Sequence, residues 1–446
     1  MPSPDTGHPA SLSRTVLLQE IRSLLLSPPL WLMLVVLSLI TGYSFTEAVD
    51  IFGRASRTAL AYPELARGMD PMEGIFVPTF GAYYLTETLL LPFVAIRLIG
   101  LDKESGALKL LMQLDLPPLK LCSLKGLAMV LVWLLSLVPI LLVTLLWLRA
   151  GGHLHPPAFA AMLAAHALYS LVVIAVAMFC STVADSLSTA AILCLSFTLG
   201  GWVLDFALSG QNALPAVIAN LSLAGLVRQL ENGLVTVPGV LSFLFTSLLF
   251  FSLAIIWIRP GEPVMGRLFR SLAVVILLAA GMVIGWNAPG SLDVSEQRKH
   301  SLNPADCRAL RRMQDPLTIT MHLARDDSRL LDLERGLLVK LRRCLPKLTI
   351  HYAETGETGL FEAAAGDNYG LVEYAYQGQR QESYSNSENE ILAILHDLAG
   401  TEVKPEPVPT YPGYPLVTDC TGCGWWLYFL LPLCFACCGI CCRKKL

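Results

Sequence analysis

Charged residues are scarce in this chain. Only 15% of its 446 residues are Asp, Glu, Lys or Arg, whereas a soluble domain has about 25%. The shortage is local, because it falls in a series of apolar runs that approach the ~20 residues a helix needs to cross a bilayer. The composition therefore argues against an ordinary soluble enzyme and predicts an α-helical polytopic membrane protein.

Two common signals are also missing from the sequence. There is no G-x-x-x-x-G-K-[ST], the loop that cradles nucleotide phosphates in many ATPases. We therefore expect any ATP used by this system to be bound by another subunit. The first apolar run starts after about 28 residues and is too long for a signal-peptide core, so we expect no cleavable secretory signal.

Eight apolar runs have the length of membrane-spanning helices. Before them, residues 11–26 place apolar side chains on one helical face and Glu20 among the polar ones opposite. That pattern is typical of a helix lying in the membrane interface, and the alternative is the frayed start of the first span. Residues 46–78 and 209–236 are predicted loops, the second with a short membrane-dipping helix. The predicted spans are 30–45, 79–99, 127–147, 158–183, 186–208, 237–258, 272–286 and 424–440.

Lys and Arg are distributed unequally among the segments between these runs. If the N-terminus is cytoplasmic, most of them fall on the cytoplasmic side, including those of residues 97–125, 259–270 and 443–445. Short cytoplasmic segments are enriched in Lys and Arg. We therefore expect both termini in the cytoplasm and residues 288–423 outside, in the periplasm of a bacterium whose inner membrane holds the chain.

Residues 97–125 form a polar island between the second and third predicted spans. Apolar residues have helical spacing there, Gly106 lies near a helix start, and Pro117–Pro118 mark its end. Asp102, Glu104 and Asp115 could pair with basic residues of a soluble motor. The segment is thus either an ordinary cytoplasmic loop or an amphipathic coupling element.

Three segments resemble one family of membrane proteins. LLQEIRSLLLSPPLWLMLVVLSLITGYSF resembles the opening of ABC-2-type permeases of the gliding-motility and nitrous-oxide-reductase-maturation kind. LPFVAIRLIGLDKESGALKLLMQLDLPPLKLCSLKGLA is similar to their second span and coupling region. ANLSLAGLVRQLENGLVTVPGVLSFL resembles the external helix before their sixth span. Ala107 and Lys109 depart from the family pattern, which has Thr and Glu at these positions.

This resemblance implies a transporter subunit that is not itself an enzyme. A six-span permease domain at 29–260 would pair with a second copy or a sister permease, in membrane lipid and without a nucleic-acid partner. A separate ABC ATPase subunit would carry ATP and Mg²⁺, leaving no cofactor in this chain. A coupling helix at about 98–116 would contact that ATPase, through Asp102, Lys103, Glu104, Ser105, Gly106, Ala107, Lys109 and Met112.

Two later segments resemble the gliding-motility auxiliary domain of ABC systems, without its large glutamine-amidotransferase-like portion. They are LDVSEQRKHSLNPADCRALRRMQDPLTITMHL and DNYGLVEYAYQGQRQESYSNSENEILAILHDLAG. The resemblance implies an extracytoplasmic domain at 288–423, which we expect to bind a protein or the transported substrate. The segments outside these two domains are a cytoplasmic tail with the interfacial helix at 1–28, a seventh span within 261–287 and an eighth span within 424–446. The eighth span is expected to end in a Cys-rich basic segment.

The residue pattern of this domain indicates a small α/β fold. A helix at 303–313 has Asn303 as its N-cap, and a helix at 387–398 has a capping box of Ser387 and Glu390. Another helix is predicted at 328–343. Strands are predicted at 316–323 and 348–352, with a hairpin of 369–377 and 379–384 around Gln377-Gly378.

A few polar residues lie inside or beside the predicted spans. Glu87 and Asp205 are candidates for a transport pathway, because carboxylates inside a membrane are costly; both could instead lie near the interface. His166 is expected to be a packing residue. His153 and His155, in an external loop, are only a weak metal signal, and we predict no metal site.

Nine of the 12 cysteines fall into three groups. Cys307 and Cys344 are on two predicted helices of the external domain, where a disulfide is possible. Cys420 and Cys423 form a C-x-x-C that could be a disulfide, free thiols, a redox pair or half of a metal site. The third group comprises Cys434, Cys437, Cys438, Cys441 and Cys442. These cysteines could pack a helix interface, be acylated or bind a soft metal.

Three functions stay open at this stage. The first is an ABC-2-type permease with an external auxiliary domain. The second is a membrane-anchored copper-handling or redox assembly factor that uses the cysteines and histidines. The third is a non-transporting scaffold that passes ATPase-driven force to an envelope machine. The substrate, the direction of transport and the choice between homodimer and heterodimer do not follow from the sequence.

Overall fold

The chain folds into two compact units, each with its own hydrophobic core. A computed structural model describes residues 9–62, 69–114, 116–208, 222–259, 261–286, 288, 290–296, 298–323, 327–345, 347–352, 369–401 and 422–444. The first unit, here the membrane unit, holds the described residues up to Val294 and those from 422 onward. The second unit holds the described residues between 295 and 401.

About three quarters of the structure is helical, and it supports the predicted class, a helical polytopic membrane protein. The helix at the fifth predicted span counts only as a shorter apolar helix, Leu187–Val203. Among the described residues, seven helices rather than eight are therefore long and apolar enough to cross a membrane. They are Pro28–Ala59, Met72–Glu104, Pro118–Arg149, Pro156–Val183, Val237–Trp257, Val264–Trp286 and Cys423–Lys444.

The first two helices are α1 (Pro9–Leu25) and α2 (Pro28–Ala61). The apolar face predicted for α1 packs on the core, with Val16 and Leu24 buried. The prediction of a loop from residue 46 was wrong, because α2 continues to Ala61. No proline interrupts that segment, and its apolar face is buried through Phe45 and Phe52.

The second span is interrupted twice. A π-helical turn, Met72–Phe76, leads into α3 (Val77–Ala95), and α4 (Arg97–Glu104) follows after a break. Pro92 lies four residues before that break, and a proline inside a helix removes one backbone hydrogen bond. The short helix α5 (Ala107–Leu111) comes next. The predicted coupling helix at 98–116 is therefore two short helices and not one.

The next helices pack around the buried α8. They are α6 (Pro118–Ser136), α7 (Val138–Arg149), α8 (Pro156–Val183) and α9 (Leu187–Leu208). The third span starts nine residues earlier than residue 127, where it was predicted, because Pro118 opens α6 at a favoured first-turn position. Small residues of α8, such as Ala165 and Ala177, are fully buried in the main core.

The predicted loop at 209–236 contains α10 (Leu223–Glu231), an amphipathic helix whose apolar side is buried. Strand β1 (Leu234–Thr236) follows it and pairs antiparallel with β2 (Ser291–Asp293). Between these strands run α11 (Val237–Trp257) and α12 (Val264–Trp286). The seventh span therefore starts eight residues before its predicted start. Helix α12 is mostly exposed.

The second unit is a four-stranded sheet with helices, as its residue pattern predicts. Strands β3 (Leu317–Met321), β4 (Leu348–Tyr352), β5 (Val372–Tyr376) and β6 (Gln379–Ser383) have the order β4-β3-β5-β6. Only β3 and β4 are parallel. Alternate residues of β3 and β5 are buried in the core that also contains residues of α13 (Pro304–Leu310), α14 (Ser328–Leu333), α15 (Val339–Cys344) and α16 (Glu388–Leu398).

Most of the caps and turns predicted in this unit were confirmed. The Asn303 side chain accepts a hydrogen bond from the Ala305 N–H, 3.0 Å away, at the start of α13. Gln377 and Gly378 both have positive φ, at 48° and 84°, as a two-residue hairpin turn requires. The capping box at 387–390 was wrong, since Ser387 makes no side-chain cap.

The last span, α17 (Cys423–Lys444), packs on α2. A side chain at Gly42 would clash with Leu427, and one at Gly439 would clash with Trp31. The two glycines let these helices approach closely, as small residues do in membrane helix pairs.

Candidate functional site

The region between the second and third spans forms a helical elbow, defined here as residues 97–114. Helix α4 ends at Ser105, and Gly106 adopts a left-handed conformation with φ of +76° before α5 begins. A side chain at Gly106 would meet no other atom within 4 Å. Glycine is needed there for its backbone conformation and not for space.

A buried lysine ties the elbow to two other helices. The Lys125 side chain of α6 is fully buried, and its Nζ lies 2.5 Å from a carboxylate oxygen of Glu20 in α1 and 2.5 Å from one of Asp102 in α4. It also donates to the Leu98 carbonyl at 2.6 Å. An ammonium group has three donors, so this contact set, here the lysine clasp, uses them all.

The lysine clasp has an unbalanced charge. Two carboxylates surround one ammonium group, and only 12% of Glu20 and 24% of Asp102 is exposed. Burial raises the pKa of the Glu20 carboxyl, while the nearby Lys125 ammonium acts in the opposite direction. Breaking a buried ion pair by removing one partner leaves an uncompensated charge and is costly, so losing any one of the three side chains should disturb the packing of the three helices.

Two further residues of α4 tie the elbow to the turn between α8 and α9. Lys103 donates to the carbonyls of Thr182 and Ala184, at 3.1 and 2.5 Å, where α8 ends. Glu104 accepts from the Leu187 N–H at 2.8 Å, where α9 begins. A cation at a helix C-terminus and an anion at an N-terminus are both favourable.

These contacts change the expected surface of the elbow. The sequence suggested that Asp102 and Glu104 face a basic partner protein, but both make contacts within the chain. Ala107 and Met112 are half-buried, and Asp115 lies outside the described residues. Besides Glu104, the elbow exposes Ser105, Lys109, Leu110, Gln113 and Leu114, which are here called the elbow face.

A second polar cluster is buried within the helices around Glu87 of α3. The Glu87 side chain is 2% exposed, and one carboxylate oxygen accepts hydrogen bonds from Trp133 Nε1 and Ser170 Oγ, both at 2.5 Å. Its other oxygen has no partner within the described structure. Glu87 therefore lies well inside the helical packing and not at an exposed end of its span.

His166 of α8 connects this region to α10. Its Nε2 lies 3.0 Å from a carboxylate oxygen of Glu231, at the end of α10. The imidazole also packs against the rings of Phe80 and Tyr83, with centroids 4.9 and 5.3 Å away. His166 is therefore a packing residue, as expected, but one with a specific buried polar partner.

The cysteine candidates are only partly described. Cys307 of α13 and Cys344 of α15 form a disulfide. Cys423 has a free thiol, while Cys420 lies outside the described residues. In the last span, Cys434, Cys437, Cys438 and Cys441 are exposed and Cys442 is half-buried.

The remaining candidate residues are Asp205 and the two loop histidines. Asp205 lies on α9, but its side chain is outside the described residues. The His153 backbone carbonyl accepts from Trp147 Nε1 at 2.7 Å. Within the described part of the chain, no three His, Cys, Asp or Glu side chains are grouped so that they could hold a metal ion.

Sequence reasoning missed the roles of Glu20, Lys125 and Glu231. Lys125 was counted only as a basic residue of a loop, yet it follows Leu121 and Cys122 by four and three residues and precedes Ala128 and Met129 by the same intervals. Residues at these spacings share one face of a helix, and all four are fully buried. A lysine on such an apolar face is the signal that could have indicated a buried ion pair.

Comparisons of this chain with family models, with curated proteins and with solved structures found no match in any of the three.

Proposed function

We propose that this chain is the permease subunit of an ATP-binding-cassette transporter of the ABC-2 type, driven by a separate ATPase subunit. The observation that carries the proposal is the elbow. It is joined by charged side chains to α1, α6, α8 and α9, while Lys109 and Leu110 on its outer side are exposed.

A force-transmitting element must move together with the helices to which it is attached. The lysine clasp fastens the start of the elbow, because removing one partner of a buried ion pair costs about 3–5 kcal/mol. Lys103 and Glu104 fasten α4 to the ends of two neighbouring helices. A push on the elbow face would therefore displace several helices of the membrane unit together.

The elbow face has the chemistry of a docking surface. Leu110 is 67% exposed and Leu114 is 38% exposed, beside the cation of Lys109 and the amide of Gln113. Fully burying a leucine side chain is worth about 1.5–3 kcal/mol. In our proposal the ATPase offers an apolar groove for Leu110 and an acidic residue for Lys109, where the resembling family has an acid on the permease side.

The rest of the proposal follows from the same assignment. The chain works in the inner membrane of a bacterium and pairs with a second copy or a sister permease. Both termini lie in the cytoplasm, which requires α9 (Leu187–Leu208) to cross the membrane as an eighth span beside the seven long apolar helices. The second unit lies outside and binds the substrate or an envelope protein. The buried polar cluster around Glu87 supports transport rather than a purely mechanical role, because carboxylates within a membrane often mark substrate or ion pathways.

Photo-crosslinking can test the proposal in native membranes. We expect a benzophenone amino acid at Leu110 or Gln113 to capture a protein that binds an azido-ATP analogue, with a yield that changes when ATP is added. The matched control is Phe269 on α12, which is 75% exposed and outside the elbow. Capture of the same ATP-binding protein from both surfaces, or from neither, would contradict the proposed coupling.

A further inference from the structure

A cavity of about 320 Å³ lies between four helices of the membrane unit. Tyr84 of α3 and Tyr169 of α8 form one wall, and α9 forms another. The first residues of α10, Ser222 to Ala224, complete it. This volume lies within the range of small-molecule sites, which are concave and mostly apolar.

Aromatic rings dominate the walls. The Tyr84 and Tyr169 rings lie together, with centroids 4.7 Å apart, and Phe197 and Trp202 face the same space from α9. Such rings favour a flat apolar ligand, which they can contact in stacked or edge-on geometry.

The polar side-chain atoms of the lining are hydroxyl groups and the indole N–H of Trp202. Ser196 Oγ donates to the Ile192 carbonyl of its own helix at 2.7 Å, so its lone pairs can still accept from a ligand. No charged side chain lines the cavity among the described residues. An ionised ligand would therefore lack a compensating charge, and burying an unpaired charge is strongly unfavourable.

Two adjacent glycines keep the cavity open on its α9 side. Gly200 and Gly201 both line it, and a Cβ at either position would meet no atom within 4 Å. Glycine inside a helix is unfavourable relative to alanine. Their position on the cavity wall gives the pair a physical role, because larger side chains there would project into the empty space.

From this geometry we propose that the cavity binds an uncharged aromatic molecule carrying a hydrogen-bond donor, such as an aromatic alcohol. Its ring lies against Tyr84, Tyr169 and Phe197, and its donor reaches Ser196. The site belongs to this chain alone, so it does not depend on an ATPase partner or on the proposed transport function.

Photolabelling of the purified full chain in lipid nanodiscs tests the site. The probe is a benzyl alcohol that carries a diazirine, and the comparison probe is the benzoate with the same diazirine. We expect saturable labelling, competed by excess 2-naphthol, of peptides that contain Tyr84, Tyr169 or residues 196–202. We expect the benzoate to label these peptides at least about ten-fold less.

Variants distinguish binding of the probe in the cavity from its partitioning into the surrounding lipid. Gly201→Leu and, independently, Gly200→Leu should lower labelling at least about ten-fold, since the leucine occupies the ligand's space and removes its apolar contacts. The matched control is Gly81→Leu on α3, where an added Cβ also meets nothing within 4 Å but which does not line the cavity. It should label as the unmodified chain does.

Three results would overturn the assignment. The first is equal labelling by the alcohol and the benzoate. The second is undiminished labelling in both glycine variants. The third is labelling confined to exposed residues that do not line the cavity, such as Leu277 of α12, which is 70% exposed. The helical circular dichroism of each variant verifies that lost labelling does not come from lost folding.

Discussion

At the scale of single residues, the fully buried Lys125 joins three helices of the membrane unit. Its ammonium group is shared by Glu20, Asp102 and the Leu98 carbonyl. Each carboxylate is brought to it by a different helix, so the contact depends on tertiary structure. Its removal therefore tests whether α1, α4 and α6 are held together as proposed.

We predict that Lys125→Met lowers the free energy of unfolding by about 3–5 kcal/mol, because it leaves two half-buried carboxylates without the buried cation that pairs with them. The measurement is thermal or denaturant unfolding followed by tryptophan fluorescence. Lys120→Met on the same helix is the control and should change stability by less than about 0.5 kcal/mol. Adding Glu20→Gln and Asp102→Asn to the Lys125 variant should recover part of the loss. Equal losses for the two lysines would contradict the clasp.

The lysine clasp also predicts that the free energy of unfolding depends on pH. The ordinary pKa of the Glu20 carboxyl is 4.5 and burial raises it, so the folded chain holds this proton more tightly than the unfolded chain. The free energy of unfolding should therefore fall as pH rises from 4.5 through the raised pKa. Glu20→Gln removes the titrating group and should flatten that part of the curve, whereas Glu47→Gln, at an exposed position, should not. Parallel curves for Glu20→Gln and the unmodified chain would refute this assignment.

Glu87 gives a third test at this scale. In Glu87→Leu the Trp133 indole N–H loses its acceptor, and a buried unsatisfied group costs about 1–3 kcal/mol. Glu87→Gln keeps an acceptor oxygen and should unfold close to the unmodified chain. If Glu87 belongs to a transport pathway, the glutamine variant should nevertheless change the pH dependence of ATP-driven transport. A leucine variant as stable as the glutamine variant would show that the hydrogen bond contributes little.

At the scale of secondary structure, the elbow depends on one backbone conformation. Gly106→Ala should lower stability by about 1–2 kcal/mol, because alanine is unfavourable at a φ of +76°. It should also weaken ATP-dependent crosslinking from Leu110, since the direction of α5 changes. Gly81→Ala, in an ordinary helical conformation with open space around it, should be neutral or slightly stabilising. Both effects can be measured in the same membranes, and a neutral Gly106→Ala would disprove the role of the turn.

Local patterns predicted most of the helices and strands but not their interruptions. The hairpin at Gln377-Gly378 and the Asn303 cap follow from short-range chemistry, so the sequence was enough to place them. The sequence placed Gly106 near a helix start but did not show that the coupling helix is divided there, because the apolar spacing continues across Ser105–Gly106. The tertiary contacts of Lys103 and Glu104 hold the end of α4 in addition to the left-handed Gly106. The continuation of α2 beyond residue 46 likewise depends on Phe45 and Phe52 packing into a core.

The candidate sites show the same limit. The sequence indicated the elbow, Glu87 and the Cys307–Cys344 pair, because charged residues within apolar runs and two cysteines in one domain can be recognised without the structure. It did not show that Asp102 and Glu104 make contacts within the chain, since their partners are 23 and 83 residues away. Nor did it indicate the contact between His166 and Glu231, 65 residues apart. Pairings over such distances follow from packing and not from local pattern.

At the scale of the whole molecule, two separate hydrophobic cores imply that a change can affect one unit without unfolding the other. The core of the second unit is small, and it is made of one face of the sheet and the helices packed on it. The disulfide between Cys307 and Cys344 spans 37 residues of that unit, whereas the described cysteines of the membrane unit are free. Among the described residues, reduction should therefore act on a disulfide of the second unit.

We predict that Cys307→Ser with Cys344→Ser destabilises the second unit by about 2–4 kcal/mol, because a cross-link over a loop of this length restricts the unfolded chain. Pulsed proteolysis of the full chain in nanodiscs measures this, with cleavage between residues 295 and 401 reporting the second unit and cleavage within α8 reporting the membrane unit. Cleavage of the second unit should speed up while that of α8 stays unchanged. A reducing agent should reproduce the effect in the unmodified chain and add nothing in the variant. Faster cleavage of α8 in the variant would mean that the two cores do not fold independently.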